Sequence, residues 1–199
     1  MENYWQQCQM VAMSLISAIE LGLSIPAGTI AARCLPSASE VRLNHYPAIS
    51  SKELADGSTA RIWPHTDFGI ITLLITDSVG GLEIEDPCSP GAFLPVSQGP
   101  RSEMIVNAAD TLQRWTNGVL KAGLHRVMLP PGVKGEDDEM IEERWSIPYL
   151  FKARREARVG ALQEFVSEKR RSKYEDITAL EFQLRRQHQV YSDKQLLVV

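Results

Sequence analysis

Cysteine is scarce in this sequence: Cys8, Cys34 and Cys88 are the three present among 199 residues. Their number is odd and no two stand at CxxC spacing. That argues against a disulfide scaffold or a cysteine-built zinc site and fits a reducing compartment. Long hydrophobic runs are missing as well. The stretch from Met10 to Pro26 is broken by Ser14, Ser17, Glu20 and Ser24, short of the roughly 20 mainly apolar residues that a bilayer span needs. Glu2 stands where a secretory signal would carry its basic residues. A positive surplus is absent too: 21 basic against 25 acidic side chains give a formal charge of -4, which argues against a general nucleic-acid binder. The expectation is a cytoplasmic protein without membrane or nucleic-acid partners.

What is present is ordinary for a globular domain, with 44% hydrophobic and 23% charged residues and a length that suits a single domain over 1–199. Trp5, Cys8, Ala12, Leu15, Ile16, Ile19 and Leu23 recur at three- and four-residue steps, which predicts a helix within 1–25 that ends near Gly22 and Pro26. From 40 to 151 the texture changes to short β-type runs: 41–46, 60–63, 70–75, 82–84, 92–95, 104–106, 123–128 and 145–151. Turn markers such as Asp56-Gly57, Gly80-Gly81 and Asn117-Gly118 separate them. Eight short strands at this rhythm predict a mainly β core with flanking helices, as a sandwich, barrel or jelly roll. The acidic stretch 130–143 reads as an exposed loop. Helical texture returns over 160–191, where basic residues such as Lys169, Arg170 and Arg171 read as a solvated face.

The stretch Trp63-Pro64-His65-Thr66-Asp67-Phe68-Gly69 carries the first chemical signal. On an extended backbone, residues two apart project to one face, so His65 and Asp67 can offer an imidazole nitrogen and a carboxylate oxygen to the same ion. His125, in Lys121-Ala122-Gly123-Leu124-His125-Arg126-Val127, supplies a second imidazole from far along the chain. Two histidines and one carboxylate form a facial triad that leaves three positions open on non-haem Fe(II). Zinc can use the same donors, but a hydrolytic zinc site needs a general base, and none is evident nearby. Arg144-Trp145-Ser146 follows; its outer two side chains share a strand face and can grip one carboxylate together.

These motifs, with Asn44-His45-Tyr46-Pro47 before them and the stretches ITLLITDSVGGLEIEDP and NAADTLQRWTNG between them, resemble the iron- and 2-oxoglutarate-dependent dioxygenases related to isopenicillin N synthase. The tail KYEDITALEFQLRRQHQVY is similar to the C-terminal helices of fungal and bacterial members. The resemblance runs from about Val41 to Tyr191. It implies a double-stranded β-helix over 40–151, Fe(II) held by His65, Asp67 and His125, and 2-oxoglutarate and dioxygen as cosubstrates. It further implies that Arg144 and Ser146 bind the far carboxylate of 2-oxoglutarate, with Tyr46 and Asn44 near its chelating end. The activity implied is oxidation of a small organic molecule by hydroxylation, desaturation or ring closure, in secondary metabolism.

The chain departs from the family pattern in three places. Family members usually begin with roughly a hundred more residues. The usual Gly-Asp pair is Ala109-Asp110 here, at an expected turn. His125 and Arg144 stand 19 positions apart (144 − 125), a long interval, read as a surface insertion. Two alternatives accompany the main reading: an isopenicillin N synthase-like oxidase that uses no 2-oxo acid, and an inactive, shortened relative. His45 is expected to pack on the face opposite Tyr46, and His188 to meet solvent. Trp63, Trp115 and Trp145 read as core or rim residues, and Phe68 and Phe151 as packing groups.

Overall fold

A computed structural model describes residues 1–97, 99–100, 102–136 and 139–195. The first helix, α1 (Glu2–Gly22), buries Cys8, Ala12, Ile16 and Glu20, a four-residue spacing that makes one stripe along its length. Three of those groups are apolar. The fourth is a carboxylate, and its burial is explained by what it accepts: the backbone N–H groups of Gly28 (2.8 Å), Ile30 (2.6 Å) and Ala31 (2.8 Å). Glu20 thus satisfies the open amides of the 3-10 turn at Ala31–Arg33 and folds the connection back under the helix. Gly22 is the last helical residue, and the left-handed position that turns the chain away is Ser24 (φ 55°).

The strands are β1 (Glu40–Val41), β2 (Asn44–Tyr46), β3 (Ile49–Ser50), β4 (Ile62–His65), β5 (Ile71–Thr76), β6 (Leu82–Glu85), β7 (Phe93–Pro95), β8 (Ile105–Ala108), β9 (His125–Val127), β10 (Met140–Ile141) and β11 (Arg144–Phe151). Short helices α2 (Ser51–Ala55) and α3 (Asp110–Trp115) interrupt them, and α4 (Ala179–Gln195) follows. One sheet runs β1-β11-β5-β8, with β2 also on β11; a second runs β4-β9-β6-β7. Every pairing is antiparallel. Successive strands wind between the two sheets: β4 to one, β5 to the other, β6 and β7 back, β8 across, β9 back and β11 across. This is a double-stranded β-helix, the expected fold.

The core lies on the large sheet's outer side. Ile71, Leu73, Tyr149 and Phe151 pack there with the α1 stripe and with Ile30, Cys34 and Trp115. Trp5 meets the Tyr149 ring edge-on at 6.1 Å. Trp115 is fully buried and donates its indole N–H to the Arg158 carbonyl at 2.9 Å.

Several expectations need correction. The run 41–46 is two short strands, β1 and β2, both laid on β11. The stretch 130–143 is not loop alone: β10 pairs with β3, and Ile141 is buried there, so the long interval is tied back by a ladder. Asp137 and Asp138 lie outside the described residues. Helical structure does not fill 160–191 either. Apart from a 3-10 turn at Gln163–Phe165, the chain is irregular until α4 begins at Ala179. It still buries Val159, Leu162, Phe165 and Ile177 in the common core, at spacings that follow no helical period. Among the described residues no helix is long and apolar enough to cross a membrane.

Candidate metal centre and cosubstrate pocket

His65 is the last residue of β4 and His125 the first of β9, and the two are direct partners across that ladder. Their rings lie 4.3 Å apart between centroids. The register shifts between Ile62 and His65, three steps on β4 against two on β9, so a bulge sets the angle at which the first imidazole leaves the strand. Asp67 is not on that strand. Strand alternation predicted both side chains on one extended face, but β4 stops at His65 and the carboxylate is carried by the following turn.

The turn is pinned from the start of α3. Asp110 N–H donates to the Asp67 carbonyl and Thr111 N–H to the Gly69 carbonyl, each at 2.8 Å, and the Thr111 hydroxyl donates to Phe68 O at 2.8 Å. Gly69 is required here: a Cβ would stand 2.4 Å from the Phe151 carbonyl oxygen. Ala109, the departure from the family's glycine, precedes α3 in an extended conformation (φ −122°) open to any L-residue. It is therefore the residue before a helix rather than the centre of a turn.

Each imidazole has its Nδ1 engaged by a carbonyl two residues earlier, His65 with Trp63 and His125 with Gly123, both at 2.9 Å. A carbonyl only accepts, so Nδ1 holds the proton and the Nε2 lone pair is left free. Asp67 is divided in the same way. Its Oδ2 accepts from the Thr72 hydroxyl at 2.6 Å and from the Asn107 amide at 3.4 Å, while Oδ1 lies 3.9 Å from His65 Nε2. One donor atom from each of His65, Asp67 and His125 lies within 4.8 Å of the other two. Burial, and after it the neighbouring His125, lower the pKa of His65 against the opposing pull of the Trp63 carbonyl and Asp67. Burial and neighbour together favour the neutral, ligating form. Two imidazole nitrogens and one carboxylate oxygen suit a divalent first-row cation, so the donor set fits Fe(II).

The four predicted cosubstrate residues also come together. Arg144 and Ser146 are buried on one face of β11 while Trp145 between them is half exposed. Across the ladder Tyr46 faces Arg144 and Asn44 faces Ser146. The Asn44 amide donates to Ser146 Oγ at 3.3 Å, and the Arg144 guanidinium lies 5.2 Å from the Tyr46 ring centroid. Arg144 is aimed by Gly80 O (3.2 Å, from Nε) and Thr76 Oγ1 (2.9 Å, from Nη2). Burial lowers its pKa, offset by the nearby Tyr46 and Asp77.

Sequence reasoning missed the supports. Thr72 and Asn107 interrupt apolar strands at paired positions, a signal that a polar residue at a β position carries when its neighbours are Ile, Leu and Val. Arg186, not singled out in the sequence, is a further support: it reaches from α4 to Thr66 Oγ1 at 3.2 Å and to Asp110 at 3.2 Å, with its charge 5.1 Å from the Phe68 ring centroid. His45 stacks on Trp145 at 4.0 Å and pairs with Glu143 on the surface, and His188 is exposed; neither joins the site. Trp115 is core, and Trp63 and Trp145 lie on the rim.

Known proteins share this arrangement's sequence and fold. The family model of the 2OG-Fe(II) oxygenase superfamily matches residues 38–153. The chain is 50% identical to the 2-oxoglutarate-dependent dioxygenase imqE of Aspergillus flavus, covering 100% of this chain and 54% of that protein. It is 43% identical to the 2-oxoglutarate-dependent dioxygenase ecdK of Aspergillus rugulosus, over 96% of this chain and 58% of that one. A full-length Neurospora crassa protein, solved in complex with alpha-KG, superposes with a TM-score of 0.83 at 31% identity, covering 95% of this chain and 56% of that one. The chain thus spans a little over half the length of each of these three proteins.

Proposed function

Since this chain belongs to the 2OG-Fe(II) oxygenase superfamily, we propose that it is the core of an Fe(II)- and 2-oxoglutarate-dependent dioxygenase that oxidises a small organic molecule. His65, Asp67 and His125 hold the metal in this reading, and Arg144, Ser146, Tyr46 and Asn44 receive 2-oxoglutarate. The observation that carries it is the sorting of donor atoms: both Nδ1 atoms and Asp67 Oδ2 are engaged by the protein, which leaves the Nε2 atoms and Oδ1 for a cation, and one donor atom of each residue lies within 4.8 Å of the other two. Bound there, ferrous iron supplies the redox chemistry by which dioxygen converts 2-oxoglutarate to succinate and carbon dioxide while the substrate is oxidised.

The chain's own residues do the rest by position and charge. Arg144 presents a preoriented guanidinium to the far carboxylate, and Ser146, steadied by Asn44, adds a hydroxyl on the same face. Thr72 and Asn107 keep the Asp67 carboxylate in one orientation, and the Trp63 and Gly123 carbonyls hold each imidazole in one tautomer. A tailoring role in secondary metabolism and a cytoplasmic setting belong to the same proposal, supported by the likeness to fungal dioxygenases and by cysteine usage. Oxygen uptake and succinate release, measured with and without 2-oxoglutarate across a substrate panel, test it. Uptake independent of 2-oxoglutarate would favour the oxidase alternative, and stoichiometric ferrous-ion binding argues against the inactive one.

A further inference from the structure

Arg61 stands just before β4 and touches the end of the β2–β11 pair. Its Nη2 donates to the carbonyls of Pro47 (3.4 Å), next to Tyr46, and of Glu142, two residues before Arg144. One nitrogen therefore straps the two strand ends together. The other two, Nε and Nη1, are buried and have no hydrogen-bond partner among the described residues. A guanidinium with two buried, unsatisfied donors is costly unless something accepts from them.

The charges around it sharpen the point. Arg144 and Arg61 are neighbours, and Asp77 and Tyr46 lie beside both. Asp77 is the carboxylate of this group, and its oxygens already accept from Val79 N–H (3.1 Å) and Trp145 N–H. Two partly buried guanidinium charges thus accompany one committed carboxylate, which leaves one positive charge in excess. Like charges are brought together out of water when an anion completes the set.

We propose that Arg61 is a second guanidinium for the far carboxylate of the 2-oxo acid, so that this cosubstrate is gripped by an arginine pair rather than by Arg144 and Ser146 alone. The proposal rests on the 2-oxoglutarate reading above. It also assigns the site a selectivity: 2-oxo acids ending in a carboxylate are bound more tightly than those ending in a methyl group.

Calorimetric titration of the manganese(II)-loaded chain without oxygen tests this apart from turnover, with 2-oxoglutarate and with 2-oxopentanoate, which replaces the far carboxylate by methyl. Wild type is expected to prefer 2-oxoglutarate. Arg61→Gln should weaken 2-oxoglutarate binding about tenfold or more while leaving 2-oxopentanoate unchanged, the loss expected for a charge-assisted hydrogen bond. Arg61→Lys should recover part of the preference, and it decides the matter should the glutamine variant fail to fold. Equal weakening of both ligands, or an unchanged preference, makes Arg61 a structural strap and overturns the proposal. A wild-type chain that shows no preference, with Arg144→Gln equally without effect, defeats the 2-oxoglutarate reading itself.

Discussion

Thr72 and Asn107 stand opposite each other in the β5–β8 ladder, and both donate to the same oxygen of Asp67. The carboxylate sits on a turn, where its own backbone leaves it several rotamers. The cross-strand pair removes that freedom from outside. Thr72→Val deletes the hydroxyl at nearly constant volume. It should lower Fe(II) affinity by roughly 10–100-fold, the usual loss when a group orienting a metal ligand is removed. A metal titration that matches wild type would show that Asp67 needs no such support.

The donors themselves allow a sharper test. His65→Ala, Asp67→Ala and His125→Ala should each abolish stoichiometric ferrous-ion binding and succinate formation. Retention of full turnover in any of the three excludes that residue from the centre.

The pH response follows from the lowered pKa of His65. The folded, metal-free chain takes up a proton at this ring less readily than the unfolded chain does. Stability from this group is thus intact above the unfolded value of about 6.5 and is lost as pH falls from there through the lower folded value. The Tm of the metal-free chain should therefore fall less steeply below that pH in His65→Asn than in wild type. Metal loading should weaken over the same range, because protons and the cation compete for Nε2. Parallel Tm profiles for the two proteins would contradict the assignment.

At Arg144, lysine keeps the charge and loses the planar fork. Arg144→Lys should raise the KM for 2-oxoglutarate about tenfold or more, as loss of a charge-assisted hydrogen bond does, with a smaller change in kcat. Steady-state kinetics at saturating substrate checks this, and an unchanged KM would move the far carboxylate elsewhere.

Far from the site, Glu20→Ala should destabilise the fold by roughly 2–4 kcal/mol, because three backbone donors lose a charged acceptor. Urea denaturation measures it. A loss below about 0.5 kcal/mol, the range of ordinary surface substitutions, would mean that water replaces the carboxylate.

Much of the fold was legible because its signals are local. The α1 stripe, the β texture from 40 to 151 and the turn dipeptides each act over a few residues, and the strands formed close to where they were expected. Boundaries failed where a distant partner decides them. Met140 and Ile141 carry no strand pattern of their own and pair because β3 offers an open edge. The irregular run from 152 to 178 is held by scattered burial that no period announces. In the site, Arg144 and Ser146 were readable as one face because a strand alternates by two, and Trp145 between them points to the rim.

What the amino-acid sequence determined by itself is the inventory: which side chains can hold a metal or a carboxylate, and the strand periodicity that turns some of them to one side. What only the tertiary structure decided is their meeting. His65 and His125 are 60 positions apart in the chain (125 − 65) and become direct neighbours through β-sheet register. Asp67 is set by α3, Thr72 and Asn107 rather than by its own strand. Register and turn orientation depend on hydrogen bonds to residues remote along the chain, and no local pattern encodes those partners.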